Sequence, residues 1–259
     1  MLSPTIKIEF FAIADKVKKH PIMMNAKRVL LMSDINYFLR TEHLVKQVQS
    51  GDSQITILKD INLNIKKGES VAILGASGSG KTTLLTLLAG LDLPTAGDIF
   101  FADHHLNLLS EEERACIRRK EIGFIFQSFH LLPTLTALEN VMLPLEIQYT
   151  KHHEAVELAT AALMQVGLSE RLSHYPAKLS GGEQQRVAIA RAFVSPRKII
   201  FADEMTGNLD AQTGKLVTDI LFSLNEAHQI TLVLVTHDVN LAQRCKKQWL
   251  LRDGTLHSC

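Results

Sequence analysis

The run Gly75–Thr82, with the sequence GASGSGKT, has residue types suited to binding phosphate at the spacing G-x-x-x-x-G-K-[ST]. Its glycines allow the backbone to curl so that successive N–H groups point at phosphate oxygens, and a helix beginning near Gly80 adds its positive dipole end. Lys81 is placed to reach the β- and γ-phosphates of a nucleotide, and the Thr82 hydroxyl is placed to bind Mg²⁺. The residues expected to contact the nucleotide here are Gly75, Ala76, Ser77, Gly78, Ser79, Gly80, Lys81, Thr82 and Thr83.

A pair of acids follows another apolar run. Ile199–Ala202 reads as a buried strand, and Asp203 and Glu204 come directly after it. Ligands bind at the carboxyl ends of strands in an open parallel sheet. Asp203 therefore fits the Mg²⁺-holding acid of phosphate-loop enzymes, and Glu204 fits a general base that polarises the attacking water. Apolar strands often end in acidic turns, so this interpretation depends on the phosphate loop that precedes it.

The segment Leu179–Arg186, with the sequence LSGGEQQR, resembles the signature sequence of ABC ATPases, which other phosphate-loop families lack. Ser180 and Glu183 also have the spacing of a capping box that opens a helix, and a capped helix start preceded by glycines is an anion site. The resemblance implies that Ser180, Gly181 and Gly182 bind the γ-phosphate of ATP held by a second copy of the chain. ATP would then join two subunits, and its hydrolysis would release them.

Further positions match the ABC pattern in the same order along the chain. Gln127 resembles the glutamine that contacts Mg²⁺ and the attacking water, and Gly207–Asp210 resembles the loop that crosses the dimer interface. His237 resembles the switch histidine that contacts the γ-phosphate. The resemblance thus implies ATP and Mg²⁺ as cofactors and adds Asp210 to the nucleotide site. The expected catalytic residues are Glu204, His237, Gln127 and Lys81, and the expected metal ligands are Thr82, Gln127 and Asp203.

Two longer segments narrow the resemblance. Phe126–Val141 and Thr206–Asp210 are similar to the lipoprotein-releasing and macrolide-exporting (LolD/MacB) branch, and Leu221–Asn225 and Ala242–Cys245 are most similar to its YbbA group. In this branch an ATPase dimer lies at the cytoplasmic face of the inner membrane and drives a permease of the LolC/E, MacB or YbbP type. The segment Phe129–Leu145 should include the surface that this partner touches, although its leucines fit core packing equally well.

The resemblance therefore implies an ATP-hydrolysing subunit that powers export or extraction of a lipophilic or envelope substrate. The alternative is a signalling ATPase that controls a periplasmic activity without moving a substrate, since the parts that separate the two lie in the partner. A nucleic-acid-associated ABC ATPase needs a coiled-coil insertion or a second ATPase domain, which 259 residues do not hold. The balance of 28 Lys and Arg against 27 Asp and Glu also gives no basic footprint for nucleic acid.

The elements that must position these residues alternate between helices and short apolar strands, a pattern that predicts a mostly parallel sheet covered on both faces. Alternation within Thr41–Gln49 and Ile55–Ile65 indicates half-buried strands. The predicted fold is α/β: a P-loop NTPase with a RecA-like core, an antiparallel β subdomain and a helical insertion subdomain of the ABC ATPase type. The core would comprise 32–127 and 186–259, and the helical subdomain 128–185. Helices are predicted at 81–89, 152–166, 184–194, 213–227 and 239–245.

The rest of the sequence adds expectations about compartment and processing. No apolar run approaches the roughly 18 residues of a membrane span, so a membrane part is expected in another chain. No signal peptide is evident, and Cys116, Cys245 and Cys259 are expected to be free thiols in a reducing cytosol. Residues 1–31 are basic and aperiodic, which suggests an N-terminal extension or a mis-assigned start.

Two positions depart from the family pattern. Val48 stands where many relatives have an aromatic residue that stacks on adenine, an interaction worth about 1 kcal/mol, so weaker and less base-selective binding is expected. Met205 stands where the family usually has proline. A proline restrains the residue before it, so Met205 is expected to leave Glu204 freer and hydrolysis slower, and Met205→Pro is expected to leave activity equal or higher.

Overall fold

The structure is a computed structural model that describes residues 37–51 and 53–259. The hypotheses about residues 1–31 lie outside these residues. The strands are β1 (Tyr37–Ser50), β2 (Ser53–Lys66), β3 (Ser70–Leu74), β4 (Ala96–Phe101), β5 (His104–His105), β6 (Ile122–Phe126), β7 (Ile199–Asp203), β8 (Thr231–Thr236), β9 (Lys247–Arg252) and β10 (Thr255–Ser258). The helices are α1 (Lys81–Leu88), α2 (Glu111–Glu121), α3 (Ala137–Ile147), α4 (His152–Gln165), α5 (Gly181–Phe193), α6 (Ala211–His228) and α7 (Val239–Ala242).

Among the described residues, a six-stranded sheet has the order β10-β9-β3-β8-β7-β6. The strands from β9 to β6 are parallel, and β10 is added by an antiparallel hairpin. Successive residues of β8 point into two different hydrophobic clusters, Leu232 and Leu234 into one and Val233 and Val235 into the other. Side chains alternate across a sheet, so both of its faces are buried. The predicted mostly parallel sheet covered on both faces is confirmed.

A second sheet, with the order β2-β1-β4-β5, is antiparallel and confirms the predicted antiparallel β part of the fold. The alternating pattern of Ile55–Ile65 lies within the single strand β2, and the sequence analysis did not predict β4 and β5. Gly97 lies where β1 bulges between Glu42 and Val45. Its φ is 81°, and a methyl group there would lie 2.2 Å from the carbonyl oxygen of His43, so only glycine fits this approach of two backbones.

The chain between β6 and β7 contains α3, α4 and α5 and, in this described segment, no strand. The capping box expected at Ser180 is present, and Ser110 and Thr136 form capping boxes at the starts of α2 and α3. The box at Ser180 starts α5 at Gly181, three residues before the predicted position. Asp210 likewise caps α6 two residues early by accepting bonds from the N–H groups of Gln212 and Thr213. Within the described residues, no helix is long and apolar enough to cross a membrane.

Two polar side chains, the buried Asn140 and the half-buried Arg191, fix the loop that follows β6. Asn140 is fully buried; its Oδ1 accepts from the N–H of Leu132, and its Nδ2 lies within 3.1 Å of the carbonyl oxygens of Leu132, Leu135 and Thr136. Arg191 on α5 donates to the carbonyls of Phe129 and His130 at 2.8 and 2.6 Å. Phe129 and His130 both have positive φ, so these bonds hold a backbone that would otherwise relax.

Asn140→Ala should lower the free energy of unfolding by about 2 kcal/mol, because it leaves part-buried backbone groups of the loop without partners. Urea denaturation followed by circular dichroism measures this. Asn240→Ala is the matched control, since Asn240 is exposed. Equal unfolding midpoints for the two variants would contradict the bracing role of Asn140.

Candidate functional site

The candidate site lies where four parallel strands end. Leu74 of β3 pairs with Thr236 of β8, Val235 of β8 pairs with Asp203 of β7, and Asp203 pairs with Phe126 of β6. The residues that follow these strands therefore share one edge of the sheet. They are Gly75, Glu204, Gln127 and His237. The register brings residues from distant parts of the chain to one edge of the sheet, where open parallel sheets bind their ligands.

The loop Gly75–Thr82 is shaped by its glycines. Gly78 and Gly80 have φ values of 77° and 97°. A methyl group on Gly75 would lie 2.5 Å from Oγ of Ser79 and 2.7 Å from the carbonyl oxygen of Leu251, so the loop has no room for a side chain there. The hydroxyl of Ser79 is buried and has no hydrogen-bond partner among the described residues. An unpaired buried donor beside the start of α1 fits a site for a phosphate oxygen.

Lys81 is the buried cation of this loop, with 5% of its surface exposed. Its Nζ lies 2.9 Å from the carbonyl oxygens of both Gly75 and Ala76. The same atom lies 3.3 Å from Oε1 of Glu204. A buried ammonium needs such partners, and these place it at the inner side of the loop where phosphates would bind.

Thr82 and Asp203 supply the two oxygens expected of a metal site, since Oγ1 of Thr82 donates to Oδ2 of Asp203 at 3.1 Å. Burial raises the pKa of Asp203, the bond from Thr82 opposes the rise, and the nearby Glu204 adds to it. A cation beside Asp203 would offset this cost. Among the described residues, no cluster of three or more His, Cys, Asp or Glu could hold a metal. A hydroxyl and one carboxylate instead fit Mg²⁺, which takes its remaining ligands from phosphate and water.

Glu204 links the phosphate loop to the end of β8. Its two carboxylate oxygens lie 3.3 Å from Nζ of Lys81 and 3.4 Å from Nδ1 of His237. Its φ of 42° is unusual for a residue other than glycine, and such strain clusters at functional sites. His237 is 63% exposed, so it can meet a ligand or another chain. The structure therefore brings Lys81, Thr82, Asp203, Glu204 and His237 together by direct contacts.

Gln127 lies against the loop Gly207–Asp210. Its Nε2 donates to Oδ1 of Asn208 at 3.4 Å, and Nδ2 of Asn208 donates to the carbonyl oxygen of Gln127 at 3.1 Å. Asn208 is the site residue that the sequence analysis missed. Its position within the matched loop was the available clue, but its partner lies 81 residues away. Asp210 caps α6, and its pKa is lowered by hydrogen bonds from Thr213.

The signature segment forms the N-terminus of α5. Ser180 is exposed, and its hydroxyl accepts from the N–H of Glu183. The main-chain N–H of Ser180 donates to the Glu183 carboxylate, and this bond lowers the pKa of Glu183. A methyl group on Gly182 would lie 2.2 Å from Cγ2 of Thr213, so the start of α5 packs directly on α6. In the part of the chain that the structure describes, no hydrogen bond or ion pair joins Ser180, Gly181 or Gly182 to the phosphate loop.

The two departures have clear positions. Val48 is half-buried and lies opposite Ile55 near the end of the β1–β2 pair. Phe38 cannot replace a stacking ring, because it is buried against Phe101 with the ring centroids 5.0 Å apart. Met205 is 1% exposed and belongs to one of the two hydrophobic clusters.

Comparison of the chain with known protein families and relatives agrees with this geometry. The family model described as ABC transporter matches residues 58–207. The chain is 50% identical over 218 residues to the uncharacterized ABC transporter ATP-binding protein YbbA of Escherichia coli (strain K12), covering 84% of this chain and 96% of YbbA. The chain belongs to the ABC transporter ATP-binding proteins. ATP hydrolysis is the activity expected of this family.

Other relatives support the same branch. The lipoprotein-releasing system ATP-binding protein LolD of Francisella tularensis subsp. holarctica (strain OSU18) is 49% identical over 227 residues, covering 87% of this chain and 97% of LolD. A dimeric post-hydrolysis structure of the ATP-binding cassette MJ0796, bound to ADP and Pi, has a TM-score of 0.79 at 42% identity and covers 85% of this chain and 98% of that one. These relatives are consistent with the predicted branch, in its LolD and YbbA groups, and with the predicted P-loop NTPase fold of the ABC ATPase type.

Asp203→Asn should raise the thermal midpoint of the nucleotide-free protein at pH 7.5 by on the order of 2 °C. The raised pKa means that the folded chain disfavours the Asp203 carboxylate, so stability present below the ordinary value of 3.8 is lost as pH rises through the higher folded-state pKa. The gain from Asn should therefore shrink as pH falls towards 3.8. Scanning fluorimetry across pH checks this, with exposed Asp103→Asn as the control. A gain that is independent of pH would contradict it.

Met205→Pro should lower the free energy of unfolding by about 2 kcal/mol, because it removes a buried side chain from the core. No hydrogen bond of the Met205 N–H occurs in the described residues, so proline removes no donor that the fold uses. From the sequence, kcat for ATP is expected to stay equal or rise. Proline favours extended backbone at the residue before it, and Glu204 has a φ of 42°, so the variant also tests whether this backbone conformation is needed. Chemical denaturation and steady-state hydrolysis separate the two effects. A large fall in kcat at a temperature where the variant is folded would contradict this expectation.

Proposed function

We propose that this chain is the Mg²⁺-dependent ATPase subunit of a LolD/YbbA-type complex, which drives export or extraction of a lipophilic or envelope substrate. The chain would lie at the cytoplasmic face of the inner membrane and bind a permease of the LolC/E, MacB or YbbP type. The observation that carries the proposal is the connected set Lys81, Glu204 and His237 beside the oxygen pair of Thr82 and Asp203. These side chains supply a cation, a base and metal ligands around one phosphate-binding loop.

Each residue of the set has a distinct task in the proposal. Lys81 and the loop Gly75–Thr83 hold the phosphates, and Thr82 and Asp203 hold Mg²⁺, with Gln127 as a further ligand. Bound Mg²⁺ would neutralise negative charge on the phosphate oxygens. Glu204 orients the attacking water and receives its proton.

His237 lies next to Glu204 and would contact the γ-phosphate, so that a donor stands on each side of the base.

The second half of the site comes from another copy of the chain in this proposal. The N-terminus of α5 is exposed at Ser180, a donor-rich helix start suited to an anion. The absence of hydrogen bonds or ion pairs between Ser180–Gly182 and the phosphate loop, within the described residues, is consistent with a role in trans. Two copies would enclose two nucleotides, each held by one chain's phosphate loop and by Ser180–Gly182 of the other.

The permease-facing surface is proposed to lie within Phe129–Leu145. Leu132 is 47% exposed there, and the adjoining Pro133 and Thr134 are exposed as well. Asn140 holds this loop rigidly from beneath, so motion of the helical part would reach the partner directly. The division into a core of 32–127 and 186–259 and a helical subdomain of 128–185 belongs to the same proposal.

Glu204→Gln should give a stable dimer in Mg-ATP and a monomer without it, because the amide keeps the pocket and removes the base. Light scattering with size-exclusion chromatography measures the mass. Adding Ser180→Arg should abolish the ATP-dependent dimer, since the arginine side chain fills the space for the γ-phosphate. Ser173→Arg is the matched control, because Ser173 is exposed and precedes the same helix.

A dimer that forms equally with and without ATP would contradict nucleotide-driven closure. A dimer that survives Ser180→Arg but is lost with Ser173→Arg would place the interface elsewhere. The Glu204→Gln protein should also lose the ATP hydrolysis that the parent chain shows.

A further inference from the structure

The side-chain amide of Gln127 packs against the loop that follows Glu204. Asn208 uses both ends of its own amide on Gln127. Its Nδ2 donates to the main-chain carbonyl oxygen of Gln127 at 3.1 Å, and its Oδ1 accepts from Nε2 of the Gln127 side chain at 3.4 Å. Reversing the Asn208 amide would place nitrogen against nitrogen and oxygen against oxygen, so the pairing itself selects the orientation. The result is that Nε2 of Gln127 is engaged by the loop.

Gly207 lies against the same amide. A methyl group on Gly207 would lie 2.6 Å from Nε2 of Gln127 and 3.3 Å from its Cδ, so the amide packs directly on the backbone of the loop. The N–H of Gly207 donates to the main-chain carbonyl oxygen of Glu204 at 2.9 Å, so the backbone of this loop is bonded to the residue proposed as the base. Gly207 does not have a positive φ, so alanine fits its backbone and would act only by displacing the flexible end of Gln127.

Gln127 also lies beside the proposed metal site. Phe126 pairs with Asp203, so Gln127 stands beside the end of β7, next to the acid proposed to hold Mg²⁺. With Nε2 turned to Asn208, the oxygen of the Gln127 amide is left without a hydrogen bond among the described residues. An amide oxygen is the atom that a hard cation binds.

We propose that Asn208 is a positioning residue, which orients the Gln127 amide so that its oxygen is presented to Mg²⁺. The inference rests on the proposed role of Gln127 as a ligand in the site described above. It also gives the loop Gly207–Asp210, expected at the dimer interface, a direct connection to the metal of its own chain.

The test measures ATP affinity twice, by calorimetry in EDTA and in Mg²⁺, on protein that carries Glu204→Gln so that ATP is not consumed. The ratio of the dissociation constant in EDTA to that in Mg²⁺ reports how much the metal strengthens binding. Asn208→Ala should reduce this ratio by about two- to tenfold, the loss expected for one orienting hydrogen bond, with ATP affinity in EDTA unchanged. Gly207→Ala should reduce it in the same direction. Asn240→Ala, an exposed asparagine after His237, should leave the ratio unchanged.

Repeating the series with Gln127→Ala separates orientation of the glutamine from any other effect. Once Gln127 is removed, Asn208→Ala should change the ratio no further. The inference is overturned if Asn208→Ala leaves the ratio unchanged while Gln127→Ala lowers it, if it raises the ratio, or if it lowers the ratio equally without Gln127. A parent protein whose ATP affinity does not respond to Mg²⁺, or a Gln127→Ala variant without effect, would instead overturn the proposed metal role of Gln127, and the inference with it.

Discussion

The buried ammonium of Lys81 is the charge on which the rest of the site depends. A cation that is 5% exposed must be compensated locally, and the fold provides two backbone carbonyls of the phosphate loop and the carboxylate of Glu204. The loop has room to curl around the ammonium because Gly75 has no side chain, where a methyl group would lie 2.5 Å from Oγ of Ser79. Glu204 approaches because β7 runs parallel to the strand that leads into the loop, with β8 between them. Loop, acid and sheet order are thus parts of a single electrostatic requirement.

The parallel register extends this requirement to the other side chains. A one-residue slip of β7 against β8 would carry Asp203 away from Thr82 and turn the buried residues of β7 to the opposite face. The hydrophobic clusters on the two faces oppose such a slip. Packing of the core and geometry of the site are therefore set by the same pairings, which explains why the strands are apolar up to the residue before the acids.

Local patterns predicted much of this arrangement. The loop Gly75–Thr82, the strand before Asp203 and the capping boxes are each encoded within a few residues, and the structure has the predicted strands and helix starts close to their expected positions. The contacts that the sequence analysis missed are long-range. Asn208 pairs with a residue 81 positions away, and Met205 is buried in a hydrophobic cluster whose members come from distant helices and strands. Spacing along the chain carries no information about such contacts, and β4 and β5 escaped for the same reason, since each depends on β1 or β4 for pairing.

The central claim is that one nucleotide is held by two copies of this chain. A crystal structure of the Glu204→Gln protein with Mg-ATP tests it most directly. The account predicts a two-fold dimer in which the γ-phosphate lies within hydrogen-bond distance of Lys81 from one copy and of the α5 N-terminus at Ser180 from the other. A nucleotide bound by the phosphate loop of a single copy, with Ser180 of every neighbouring copy remote from it, would contradict the account.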